Sequence, residues 1–381
     1  MKIVQIITGL NNGGAEAVLF RLITSQQLHD IEHHVISLMD RGIYGDRLVQ
    51  AGVSVHTLNF PRGRVTAIGL LALYRLLRQI HPDVVQTWMY HSDLIGGLIA
   101  RLAGNNSVAW GIRHANFDTA HNSRTTLFLM RLCAILSSWI PRKIVSCSAQ
   151  ATRLHQAIGY RSDKFVNIAN GYNLKHLQPD AHARRNVRVK LGINENAFVL
   201  GMVARFDAQK DHVNLVQSLS QLKQNGVPFT CLLIGNGMNK DNETLRGWLD
   251  TAGVAENVLL LGPRDDIPAL MNAMDVHVLS SLGEAFPNVL AEAMACGTPC
   301  VTTDVGDAAV IVGEHGWVVP PQNPSALAQG LMQAFSSWQR GASLWTARQV
   351  SCRSHIMENF SLELMCERYR QVWQACMHPS R

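Results

Sequence analysis

Two glutamates, Glu284 and Glu292, stand eight positions apart in the apolar stretch "GEAFPNVLAEAMACGTPCV". Glu284 falls in a turn; Glu292 lies among alanines that read as a helix stopped by Gly297. Pro287 suits a place at or near the first helical position. Glu284 is then expected at the positive end of that helix and Glu292 about one and a half turns inside. Ala291, Ala293 and Ala295 leave the helix thin enough for close approach by a ligand or another backbone. On pattern alone, a glutamate here faces either solvent or a cleft. Two cations occupy "VARFDAQKDH", Arg205 at a strand end and Lys210 near the next helix start. Converging at a helix N-terminus they suit a diphosphate; on spacing alone, a solvated Arg and Lys is the simpler alternative. In "TGLNNGGAEAV", Gly13 and Gly14 precede a helix, where bare amides attract anions. The pair could equally serve a tight turn that needs glycine conformations. The spacing is not G-x-G-x-x-G, so the dinucleotide fingerprint is missing.

Positioning such groups takes a scaffold. A chain of 381 residues exceeds the usual single core, so two domains are expected. "KIVQIIT", "HHVISLM", "VSVHTLNF", "HPDVVQTW", "KIVSCS" and "KFVNIAN" read as strands alternating with helical segments. "FVLGMVAR" restarts the pattern, followed by "FTCLLIG", "NVLLLG" and "VHVLSS". Strands alternating with helices predict parallel sheets covered on both faces. We therefore expect two Rossmann-like domains facing each other across a cleft, with ligands in the strand-to-helix loops. The expected first domain is 1–175 and the second 176–361. "NLKHLQPDAHARRNVRVKLGI", polar and basic, reads as the linker. "SLELMCERYRQVWQACM" reads as an amphipathic C-terminal helix, within about 362–381, with no strand after it.

Composition narrows the function classes. "MKIVQIITGL" reads as a first strand rather than a signal peptide. No run reaches the roughly 20 apolar residues of a spanning helix. The eight cysteines form no C-x-x-C pair and no zinc spacing, so they read as reduced and mostly in the core of a cytoplasmic protein. The net charge of +6 divides into +9 over residues 1–175 and −3 over 176–381. A basic half points to an anionic surface or a phosphate-bearing substrate; dispersed arginines and the lack of a recognition motif argue against nucleic acid. "TTLFLMRLCAILSSWIPRK" is either an interfacial helix or a core helix. Arg62, Arg64, Arg75 and Arg78 flank another apolar helix.

The strand-end Arg and Lys, then Glu-x₇-Glu across a loop and helix, resemble the retaining glycosyltransferases of GT-B fold, most closely family 4. "GGAEAVLFRL", "HPDVVQTW" and "NIANGYNLKHLQP" look like landmarks of the family's first half; "VARFDAQKDHVNL", "GEAFPNVLAEAMACGTPCVTTDVGD" and "GEHGWVVPPQNPSALA" look like its donor domain. The resemblance covers nearly the whole chain. It implies an acceptor-side first domain, a donor-binding second domain, and a C-terminal helix packing back on the first. It implies Arg205 and Lys210 on the diphosphate of a nucleotide sugar, a UDP-sugar foremost, with Glu292 on the ribose and Glu284 on the transferred sugar. Backbone amides of Ala285 and Phe286 would line sugar and phosphate, and Gly13 and Gly14 would approach from the other domain. His114, in "GIRHANFD", is placed like the family's active-site histidine. Two departures bear on sugar preference: Pro287 replaces a usual glycine, and "ANGYN" replaces Pro-Asn-Gly-x-Asp.

The implied reaction is a metal-independent, retaining hexosyl transfer with no cofactor beyond the nucleotide sugar. Fixed cations would stabilise the charge on the leaving diphosphate. The implied acceptor is a lipid-linked or other oligosaccharide, the implied place the cytoplasmic face of an anionic inner membrane, and the implied pathway surface polysaccharide, such as O-antigen or capsule. A nucleotide-sugar 2-epimerase of similar architecture and a non-catalytic nucleotide-sugar sensor remain open alternatives.

Overall fold

The computed structural model describes residues 1–11, 13–114 and 124–378. The chain forms two compact units, the first Met1–Gly171 with the C-terminal stretch from Leu362, the second Tyr172–Ser361. The boundary after Gly171 falls slightly ahead of the expected 175.

The first unit holds seven strands: β1 (Lys2–Ile7), β2 (Glu32–Ser37), β3 (Ser54–Thr57), β4 (Val84–Trp88), β5 (Val108–Ile112), β6 (Lys143–Ser146) and β7 (Phe165–Asn167). They lie in the order β3-β2-β1-β4-β5-β6-β7, all parallel. Alternation along β1 sends Ile3 and Ile7 to one face and Val4 and Ile6 to the other, and each face has its own core. Helices Ala67–Ile80, Tyr90–Leu102 and Arg124–Leu136 pack on the Val4 face. Gly14–Ile23 and the C-terminal helix Leu362–Met377 pack on the Ile3 face.

That C-terminal helix buries Met365, Cys366, Tyr369, Val372, Trp373 and Cys376, a stripe of helical period. A polar pair fixes it. Gln5 and Gln86 are register partners on β1 and β4, both fully buried. Gln5 accepts the Trp88 indole N–H at 2.8 Å, and Gln86 accepts that of Trp373 at 3.2 Å. Positions 379–381 of the expected helix lie outside the described residues.

The second unit holds β8 (Val199–Val203), β9 (Thr230–Ile234), β10 (Val258–Gly262), β11 (Val276–Leu279), β12 (Cys300–Thr303) and β13 (Trp317–Val319), in the parallel order β10-β9-β8-β11-β12-β13. The expected linker is not one: Ala181–Lys190 is a helix packed into this unit. Two of its arginines, which look solvated in sequence, clamp Asp275. Arg184 and Arg188 reach the two carboxylate oxygens at 2.6 and 2.8 Å, and Arg188 and Asp275 are each 1% exposed. Arg188 also donates to the carbonyls of Ala273, Asn194, Glu195 and Ala197, and the Val199 amide donates to Asp275. All eight cysteines are buried and unpaired.

Breaking a buried pair leaves an uncompensated charge, at a cost of about 3–5 kcal/mol. Asp275→Ala is therefore expected to lose that much stability in guanidinium melts. A loss below about 1 kcal/mol would show that Arg188 is content with its carbonyls.

Candidate functional site

In each sheet the strand order reverses once, between β1 and β4 and between β8 and β11. Ligands of open α/β sheets bind at such switch points, beyond the carboxyl ends of the strands. Strands β8 and β11 share only two register pairs, Leu200 with Val276 and Gly201 with His277. Beyond them the Val203 amide donates to His277 Nε2 at 3.3 Å instead of to a strand carbonyl. Burial pushes the His277 imidazole down to about 3, so it stays neutral and accepts. The edge therefore opens between the loop after β8 and the loop after β11.

The loop after β8 carries both predicted cations. Asp207 ends its first half, accepting the Gln209 amide at 2.9 Å and Arg205 Nε at 3.1 Å. Burial raises the Asp207 carboxyl, but the Gln209 amide and the Arg205 guanidinium outweigh it and hold it below its ordinary value. Lys210 closes a 3₁₀ turn, and Asp211, at φ +48°, caps the helix His212–Gln224 by accepting the Asn214 amide. His212 stacks on Phe206 with centroids 5.4 Å apart and donates Nε2–H to the Arg205 carbonyl at 3.1 Å. Backbone order thus reaches Arg205, while its side chain is 62% exposed.

The loop after β11 carries Glu284. Lys210 Nζ and Ser281 Oγ both bind Glu284 Oε1, the hydroxyl at 2.9 Å. The pair is mostly buried, with side chains 18% and 16% exposed. The two loops are also tied by Ser280 Oγ to the Lys210 carbonyl, 2.8 Å, and by the Leu282 amide to the Gln209 carbonyl, 2.8 Å. The helix after the turn runs Asn288–Ala295 with Pro287 as its N-cap, next to the first helical position. Among the described residues no group takes the amides of Ala285 and Phe286. Phe286 is buried against Phe360, and Glu292 is partly exposed between the buried Ala291 and Ala293.

Of the predicted set, then, the structure joins Lys210 to Glu284 and places Arg205 on Asp207 instead. Ser281 and Gly306 were missed. Gly306, at φ +58°, turns the chain after β12 against this loop; a Cβ there would lie 2.5 Å from the carbonyls of Glu284 and Ala285. The glycine in "DVGD" was the available signal.

In the first unit, Gly13 caps the helix Gly14–Ile23 in extended backbone at φ −150°, a conformation open to any residue. A side chain there would collide with the Glu16 carboxylate, which burial pushes above its ordinary value. His114 follows β5 by two residues, its ring edge-on to Tyr90 with centroids 6.4 Å apart. The Tyr90 hydroxyl donates to His155 Nε2 at 2.8 Å, because His155 Nδ1 donates to the Ala151 carbonyl at 2.6 Å. Burial pushes His155 down to about 4 and keeps it neutral. Nothing in the spacing of Tyr90 and His155 announces this support.

A cation and a carboxylate held side by side at a switch point, next to free amides ahead of a helix, can bind phosphate and hydroxyl groups together. Comparison with known proteins relates the chain to glycosyltransferases. A model described as glycosyl transferases group 1 matches residues 197–337, and one described as Glycosyltransferase Family 4 matches 12–176. The chain is 25% identical over 319 residues to the putative glycosyltransferase EpsF of Bacillus subtilis, covering 80% of this chain and 79% of the relative. It is 22% identical over 315 residues to an Escherichia coli UDP-Gal:alpha-D-GlcNAc-diphosphoundecaprenol alpha-1,3-galactosyltransferase, covering 80% and 78%. The crystal structure of Anabaena HepE in complex with UDP shares the fold, with a TM-score of 0.85 at 22% identity over 98% of this chain and 100% of that one. Each half of the chain is thus similar to a glycosyltransferase family model, and its two Rossmann-like parallel sheets share the GT-B fold.

Proposed function

We propose that the protein transfers a hexose, with retention and without a metal, from a UDP-sugar to a lipid-linked glycan during surface polysaccharide assembly. The observation that carries this is the Lys210–Glu284 pair at the β8/β11 switch point. Lys210 and Arg205 take the diphosphate, Glu284 and the amides of Ala285 and Phe286 take the sugar, and Glu292 takes the ribose. Gly13, Gly14 and His114, in the first unit, enter as further donor contacts. The bond from the anomeric carbon to the diphosphate breaks, and its electrons and charge stay on the phosphate, where the fixed cations stabilise them. The departing phosphate oxygen accepts the proton of the acceptor hydroxyl, which attacks on the same face. Support for the donor comes from HepE, whose structures are described with UDP and with UDP-glucose. Support for the acceptor comes from the Escherichia coli relative, whose name specifies a diphosphoundecaprenol-linked sugar.

The test is incubation with a UDP-sugar panel, with and without a prenyl-diphosphate-linked glycan, in excess chelator. A product that needs acceptor, survives chelator and keeps the donor's anomeric configuration by NMR is expected. A product from donor alone would indicate a 2-epimerase, and donor binding without turnover a sensor. An inverted anomer or complete loss in chelator would overturn the mechanism.

A membrane surface completes the proposal. No helix of the described residues is long and apolar enough to cross a membrane. Helix Arg124–Leu136 buries Met130, Cys133 and Ala134 yet exposes Phe128 and Ile135, with Trp139 exposed just beyond. Helix Ala67–Ile80 on the same sheet face exposes Ile68 and Leu71 beside Arg75 and Arg78, with Arg62 and Arg64 exposed just before it. Each Arg near an anionic surface contributes about 1 kcal/mol. Co-sedimentation with anionic liposomes is expected to fall as salt rises, and to fall again when Arg62, Arg64, Arg75 and Arg78 are all changed to Gln. Wild-type protein that ignores anionic liposomes at low salt would remove the membrane from the proposal.

A further inference from the structure

Arg113, the residue before His114, is held in an unusual way. Its guanidinium lies 4.6 Å from the centroid of the Trp88 ring. One Nη donates to Asn170 Oδ1 at 2.6 Å and the other to the Tyr369 hydroxyl. Trp88 and Tyr369 are fully buried and stacked, centroids 6.0 Å apart, and Asn170 is 4% exposed. The cradle is thus assembled from four distant stretches: the ends of β4 and β5, the loop after β7 and the C-terminal helix. Every partner is neutral. No carboxylate among the described residues pairs with Arg113. Nε is buried with no acceptor, and the side chain as a whole is part-exposed.

A guanidinium carries five N–H donors, and this cradle engages two of them. Holding a cation partly out of water on neutral partners alone is unfavourable. The other buried guanidinium described above, Arg188, meets a carboxylate as well as carbonyls. Arg113 instead sits with no carboxylate partner among the described residues at the carboxyl edge of a parallel sheet, where ligands of this architecture bind. Its planar fork suits an oxyanion.

We infer that Arg113 is an oxyanion-binding residue of the first unit and holds the phosphate group of the acceptor. This rests on the glycosyltransferase function proposed above, in that it names the acceptor chemistry. The donor diphosphate is assigned above to Lys210 and Arg205 of the other unit, so the two anions are bound by different residues. Tyr369 and Asn170 act through Arg113 as positioning residues.

The test is calorimetry on the full chain with UDP at saturation, so that the donor site is filled. Inorganic pyrophosphate, geranyl diphosphate, geraniol and decanoate are then titrated separately. Both diphosphates should bind and geraniol should not. Geranyl diphosphate binding without pyrophosphate binding would place the recognition in the apolar tail and overturn the inference. Decanoate binding as tightly as geranyl diphosphate would replace phosphate by carboxylate and overturn the acceptor assignment. Arg113→Gln should weaken both diphosphates at least tenfold, with UDP affinity unchanged. Arg113→Lys, which keeps the charge and loses the fork, should fall between. Should Arg113→Gln fail to fold, Tyr369→Phe is expected to weaken both diphosphates severalfold while keeping UDP affinity. Wild-type diphosphate affinity in the folded Arg113 variants overturns the inference. Failure of the wild-type chain to bind UDP at all would instead count against the proposed donor, a separate outcome read in the first titration.

Discussion

The short partnership of β8 with β11 governs the candidate site. Two register pairs hold the strands together; past Gly201 and His277 they separate. Separation would orphan the Val203 amide, and a buried amide without an acceptor is costly. His277 supplies the acceptor, and burial keeps it neutral so that it can. With that amide satisfied, the loops after the two strands are free to take other shapes. Each then folds onto the other through Ser280, Leu282, Gln209 and Lys210.

The consequence is a charged pair built from loops rather than from the sheet. Lys210 and Glu284 are mostly removed from water, and each compensates the other's charge. A diphosphate is a stronger partner for Lys210 than one carboxylate, and sugar hydroxyls can donate to the carboxylate so released. Under the proposed function, ligand binding is an exchange of partners within a preformed frame. Gly306 belongs to that frame because only a residue without a side chain fits against the Glu284 and Ala285 carbonyls at that backbone angle.

Much of this could be read in the chain. Alternating strands and helices gave both sheets, and the amphipathic stripe from Met365 to Cys376 marked the last helix as one-sided. Spacing alone left Lys210 and Glu284 as either solvated or cleft-facing; the family resemblance singled them out, and the structure adds that they pair with each other. Long-range pairing was not legible. Arg184 and Arg188 looked like a solvated linker because their partner, Asp275, lies far along the sequence. The meeting of Arg113 with Tyr369 joins a strand end to the last helix. No local pattern encodes such a contact.

The most direct measurement is the affinity for UDP and for the UDP-sugar of the wild-type chain, Lys210→Ala and Glu284→Gln. A charge-assisted contact contributes about 1.5–3 kcal/mol, or roughly tenfold and upward in affinity. Lys210→Ala should weaken UDP and UDP-sugar alike by at least that factor. Glu284→Gln, which removes the carboxylate competing for Lys210, should not weaken UDP and should reduce only the additional affinity that the sugar confers. Wild-type UDP affinity in Lys210→Ala would contradict the assignment of the pair to phosphate and sugar.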